Sequence, residues 1–69
     1  MKNKFSEQLS VLRIENNLSR AELAEKLHVS VRLISYWETG QRECDFDMLI
    51  KIADLFSASV DFLLGRKEY

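Results

Sequence analysis

Arg32, Ser35 and Tyr36, with Val31 beside them, fall on outward positions of a short tract, RAELAEKLHVSVRLISYW, spanning residues 20–37. Their chemistry suits base-edge recognition, with a phosphate contact the alternative for Arg32 and an ordinary solvated surface the alternative for Val31 and Ser35. The planar, forked guanidinium of Arg32 can meet the O6 and N7 of guanine together, worth ~1–3 kcal/mol of discrimination. Val31 offers an apolar surface to a thymine methyl, Ser35 a hydroxyl to a base or a phosphate, and Tyr36 a hydroxyl to a phosphate or a ring to the sugar edge. Arg20 stands at a helix start, where free backbone amides also favour anions, and is expected on a phosphate.

Such side chains need a scaffold that holds one helix proud of its neighbours. Leu23 and Leu27 lie one turn apart on one helical segment, and Ile34 and Trp37 one turn apart on the next. Val29 sits in the corner between them. Ala24 is small where two crossing helices must approach closely. This spacing predicts two helices joined by a tight turn, a helix-turn-helix, whose natural receptor is the major groove of duplex DNA.

The remaining punctuation extends the prediction to five helices and no strands. Phe5, Leu9 and Leu12 recur at helical spacing, placing a first helix from about Phe5 to Asn16. Ser19 precedes Glu22 by three residues, a capping box for the second helix, which ends near Leu27 and His28. Glu22 and Lys26 are spaced to pair on its outer face. Ser30 caps the third helix, which runs to about Glu38 and stops at Thr39 and Gly40. Asp45 caps a fourth with a buried stripe of Leu49, Ile52, Ala53 and Phe56. Ser59 caps a short fifth, with Val60, Leu63 and Leu64 turned inward and Gly65 closing it.

Sixty-nine residues make one small domain, and the absence of proline leaves the whole length open to helix. The formal charge of −1 is unusual for a nucleic-acid binder, but its distribution is uneven. Between Lys26 and Arg42 the sole acid is Glu38, whereas Asp45, Asp47, Asp54 and Asp61 follow it, so one basic face is expected. The lone cysteine, Cys44, cannot form an internal disulfide, which fits a reducing cytoplasm. No signal peptide or membrane span is expected. One histidine and one cysteine make neither a metal site nor a catalytic constellation, and no phosphate-binding glycine loop is present. The chain is therefore expected not to be an enzyme and to need no cofactor, metal or small-molecule substrate.

With these residues in view, the sequence resembles the Cro/C1-type helix-turn-helix family, also called XRE, of phage and bacterial repressors. The likeness runs from Phe5 to Gly65. It is carried by Leu9, Leu12 and Arg13, by the run Leu18 to Ala24, and by Val29, Ser30, Ile34, Ser35, Trp37, Glu38, Gly40 and Arg42. Leu49, Ile52 and Ala53, then Ser59, Val60, Asp61 and Leu63 to Gly65, complete it.

The resemblance implies a five-helix, all-α, lambda-repressor-like domain whose third helix enters the major groove. It assigns base reading to Val31, Arg32, Ser35 and Tyr36, with Ser30 at the helix start. Thr39, Gln41 and Arg42 match the loop that meets the DNA backbone, and Arg20 a position touching phosphate. Arg13 and Glu38 match a buried ion pair. Three positions depart from the family: His28 replaces the corner glycine, Ser57 the glycine after the fourth helix, and Cys44 a proline.

Residue pattern and resemblance together predict a sequence-specific transcriptional regulator, a repressor by expectation. It is expected to bind as a homodimer to a palindromic operator with half-sites about 34 Å apart. Phe62, Arg66 and Tyr69 are the expected dimer surface. Two other outcomes share the fold: a protein-interaction module such as an antitoxin or anti-repressor, and the DNA-binding half of a longer regulator.

Overall fold

The computed structural model describes residues 3–66, and Tyr69 of the expected dimer surface lies outside them. Five helices follow one another: α1 (Phe5–Glu15), α2 (Arg20–Leu27), α3 (Val31–Glu38), α4 (Phe46–Phe56) and α5 (Val60–Leu64). No strand occurs among the described residues.

Side-chain caps set four of the five helix starts. The hydroxyls of Ser19, Ser30 and Ser59 and the carboxylate of Asp45 each accept from the backbone N–H three residues on. At α2 the cap is reciprocal, because the Ser19 N–H donates to Glu22 Oε1 at 2.8 Å. This holds the Glu22 carboxyl below its ordinary value, chiefly through that backbone bond. The expected Glu22–Lys26 ion pair does not form: the carboxylate turns back to the cap, and Lys26 acts on it only at a distance.

Left-handed residues turn the chain between helices. Asn17, His28 and Ser57 have φ of 58°, 60° and 53°, so the two glycine replacements adopt the glycine-like conformation directly. Each carries roughly 1 kcal/mol of strain relative to glycine. At the corner after α2, the Val29 N–H closes onto Ala24 O at 3.0 Å, and Ser30 then starts α3. The α2-to-α3 turn is therefore only three residues, His28 to Ser30.

The core draws on every helix: Phe5, Leu9 and Leu12 from α1, Leu23, Ala24 and Leu27 from α2, and Ile34 and Trp37 from α3. Leu49, Ile52 and Ala53 of α4 and Leu63 of α5 complete it. Phe5 meets Trp37 edge-to-face at 6.4 Å between ring centroids. The expected inward residues Phe56, Val60 and Leu64 are only half-buried, and so is Phe62. Phe62 packs partly against the core and keeps part of its surface exposed. Among the described residues, no helix is long and apolar enough to cross a membrane.

Cys44 is tucked beside Phe5, Leu49 and Leu64 at a mainly apolar hollow of about 200 Å³. Burial pushes its thiol up to about 11, with the neighbouring acids Asp45 and Glu43 adding to the shift. At neutral pH Cys44 should therefore alkylate roughly a hundredfold more slowly than an unstructured peptide thiol. Reaction with iodoacetamide in native and urea-unfolded protein tests this; equal rates would contradict it.

Candidate nucleic-acid interface

Burial divides α3 lengthwise. Ile34 and Trp37 are buried against the other helices, Leu33 is partly covered, and Val31 and Arg32 are exposed. Ser35 and Tyr36 are half-exposed on the outward side. Thr39, Gln41 and Arg42 continue this outer surface beyond the end of the helix, and Ser30 lies exposed at its start. The candidate side chains thus form one open strip along α3 and the loop that follows.

Several of them are shaped by their neighbours. Ser30 is committed to the cap through its bond from the Leu33 N–H at 3.1 Å. The Thr39 hydroxyl donates back to Ser35 O at 2.8 Å. The loop folds onto α3, with the Gln41 and Arg42 amides both donating to Tyr36 O at 2.9 and 3.3 Å. Arg42 then stacks over the Tyr36 ring, its guanidinium carbon 4.8 Å from the centroid. Spacing alone did not reveal this pairing. Arg32, by contrast, enters no ion pair among the described residues.

The end of α3 is tied down by a charged cluster. Glu38 has a side chain only 1% exposed, and Arg13 grips it with two bonds, Nε to Oε2 at 2.6 Å and Nη2 to Oε1 at 3.1 Å. Arg13 also donates to Leu18 O at 2.9 Å, joining the α1–α2 connection to the same point. A third residue takes part. Arg20, expected on a phosphate, donates Nε to Glu38 Oε1 at 3.1 Å and Nη1 to Ser35 Oγ at 3.4 Å. Its side chain remains 42% exposed, so the guanidinium joins α2 to α3 at the edge of the strip.

This cluster makes stability depend on pH. Burial would raise the Glu38 pKa, but hydrogen bonds from Arg13, Ser10 and Arg20 outweigh it and hold the carboxyl below its ordinary 4.5. A folded-state value below the unfolded one stabilises the fold above about pH 4.5, and that stability is lost as pH falls through the depressed value. Glu22 contributes with the same sign from an exposed site. Urea midpoints measured from pH 7 to pH 3 should fall more steeply for the wild type than for Glu38→Gln. Parallel curves would mean that Glu38 does not titrate with folding.

The sole acid between Lys26 and Arg42 is thus withdrawn from the surface, because Glu38 is enclosed by two arginines. The strip keeps Arg32 and Arg42 as outward charges despite the acidic total. No cluster of His, Cys, Asp or Glu suited to a metal ion occurs among the described residues.

A two-helix corner with an open α3 that keeps Arg32 outward defines a helix-turn-helix domain. A profile of the family described as Helix-turn-helix matches residues 9–63, and the chain belongs to this family in its Cro/C1-type, or XRE, form. It is 41% identical over 64 residues to the HTH-type transcriptional activator BcrR of Enterococcus faecalis, covering 93% of this chain and 31% of that protein. It is 34% identical over 64 residues to the HTH-type transcriptional regulator ImmR of Bacillus subtilis, covering 93% and 50%. The chain therefore spans half or less of the length of these two relatives.

Among solved structures, a transcriptional regulator from Listeria innocua superposes with a TM-score of 0.87 at 35% identity, over 94% of this chain and 61% of the other. The P22 c2 repressor in complex with a synthetic operator superposes at 0.84 and 25% identity, over 91% and 96%. The all-α, repressor-like fold is thereby established.

Proposed function

We propose that this chain is a sequence-specific DNA-binding transcriptional regulator that reads the major groove with α3. The observation that carries this is the open strip from Val31 to Arg42, with Arg32 exposed, on a fold matching a repressor crystallised on its operator. Val31, Arg32, Ser35 and Tyr36 face the base edges in this reading. Ser30, Thr39, Gln41 and Arg42 meet the backbone, and Arg20 retains exposed surface toward a phosphate.

A single α3 makes few base contacts, so two copies act together on a palindromic site in the cytoplasm. The outer side of α4 and α5, with the part-exposed Phe62 and the exposed Arg66, is the proposed dimer surface. The sense of regulation is proposed as repression; BcrR is an activator, whereas the P22 protein is a repressor. Enrichment of duplexes from a random pool with the purified protein tests the proposal. A consensus of two inverted half-sites one helical turn apart supports it, and no enrichment even at low salt overturns it.

One feature favours a second reading, that of a protein-binding module. Phe46 is 84% exposed at the start of α4, flanked by exposed Asp45 and Asp47. An apolar knob among acids suits a basic protein partner better than a phosphate backbone. Failure of the enrichment experiment would move the function to that surface.

A further inference from the structure

Ser35 differs from the other hydroxyls of the strip in how its oxygen is already engaged. Arg20 Nη1 donates to Ser35 Oγ at 3.4 Å, while Nε of the same guanidinium donates to Glu38 Oε1 at 3.1 Å. Glu38 is itself immobilised by two bonds from Arg13. The guanidinium is a rigid plane, so anchoring one edge on a fixed carboxylate sets the direction from which the other edge meets Ser35.

A hydroxyl has one proton to give and two lone pairs. With a cationic donor occupying one lone pair, the Ser35 proton is turned away from Arg20. Thr39 shows the alternative, since its hydroxyl donates inward to the Ser35 carbonyl at 2.8 Å. Among the described residues Ser35 Oγ gives its proton to no such carbonyl.

We infer that Arg20 is a positioning residue that fixes Ser35 as a hydrogen-bond donor toward the base it faces. This rests on the proposed DNA-binding function and adds a rule to it. The facing base must present an acceptor: guanine through O6 or N7, thymine through O4, or adenine through N7. Cytosine presents only its N4 amino donor in the major groove and is disfavoured, because Arg20 already takes one of the two lone pairs that could accept from it. Arg20 thereby influences sequence preference without touching a base.

The test is binding-site enrichment followed by titration of single-base variants of the consensus, for wild type, Ser35→Ala, Arg20→Lys and Arg20→Met. Wild type should disfavour cytosine at one position by about fivefold, the scale of a single hydrogen bond. Ser35→Ala should erase that discrimination. Arg20→Lys keeps the charge and can pair with Glu38, but its rotating ammonium lacks the fixed plane that sets the direction of the bond to Ser35. It should lose the same discrimination while preferences at other positions persist. Arg20→Met should do the same, and Arg13 keeps both of its bonds to Glu38 in either variant, so circular dichroism should show intact helices.

Undiminished cytosine discrimination in Arg20→Lys and Arg20→Met overturns the inference. So does a uniform loss on all sequences for Ser35→Ala, which would place the hydroxyl on a phosphate. Either result leaves the wild-type consensus, and with it the proposed function, in place. Absence of any wild-type consensus removes both.

Discussion

Glu38→Ala should destabilise the domain by about 3 kcal/mol, the scale for removing one partner of a buried ion pair. The expectation comes from what is left behind. Arg13, only 15% exposed, and Arg20 would face each other across a vacated site with no carboxylate between them. Domains of this size have a total stability of roughly 0.05–0.15 kcal/mol per residue, so the loss is a large share of the whole. Arg13→Ala should cost somewhat less, because Arg20 still donates to the stranded carboxylate. Arg20→Met should cost least, since Arg13 keeps both of its bonds to Glu38.

Urea unfolding of the three variants gives this order directly. A Glu38→Ala value within about 0.5 kcal/mol of wild type, as for an ordinary surface position, would show the cluster to be dispensable. The consequence reaches the interface. The cluster ties α3 to α1 and α2 at the end from which the Thr39–Arg42 loop departs, so the same variant should bind DNA more weakly even where it remains folded.

What could be foreseen from the residues depends on the range of the interactions. Caps act within one turn, so Ser19, Ser30, Asp45 and Ser59 announced four helix starts, and leucine and isoleucine spacing announced the buried stripes. His28 and Ser57 adopting left-handed turns was foreseeable from the glycines that the family places there. The partnership of Arg13 with Glu38 came from that resemblance, since nothing in the spacing joins residues so far apart in the chain. Arg20 as a third member was not foreseen, because it depends on how closely α2 crosses α3. Local reasoning also misjudged Glu22, whose backward reach to the Ser19 amide took precedence over Lys26. The Tyr36–Arg42 stack needed the loop to fold back onto α3, a geometry set by the Gln41 and Arg42 amides bonding to Tyr36 O.

Arg32→Ala should weaken binding to an enriched operator by about 10- to 100-fold while changing binding to random duplex by less than about threefold. Arg32 is exposed in the first turn of α3 and enters no ion pair among the described residues. Its fork is therefore available to a guanine edge without breaking an internal contact. Arg42 makes the contrasting case. It extends from the loop, braced on the Tyr36 ring, where a phosphate rather than a base is the expected partner. Arg42→Ala should weaken operator and random DNA alike and lower the slope of log K against log salt by about one. Tyr36→Ala should reproduce part of that loss by releasing the brace. Titrations of each variant on both duplexes at several salt concentrations separate the roles. Equal loss of operator and random binding in Arg32→Ala would move its guanidinium from the base edge to the backbone, and an unchanged salt slope in Arg42→Ala would remove Arg42 from the interface.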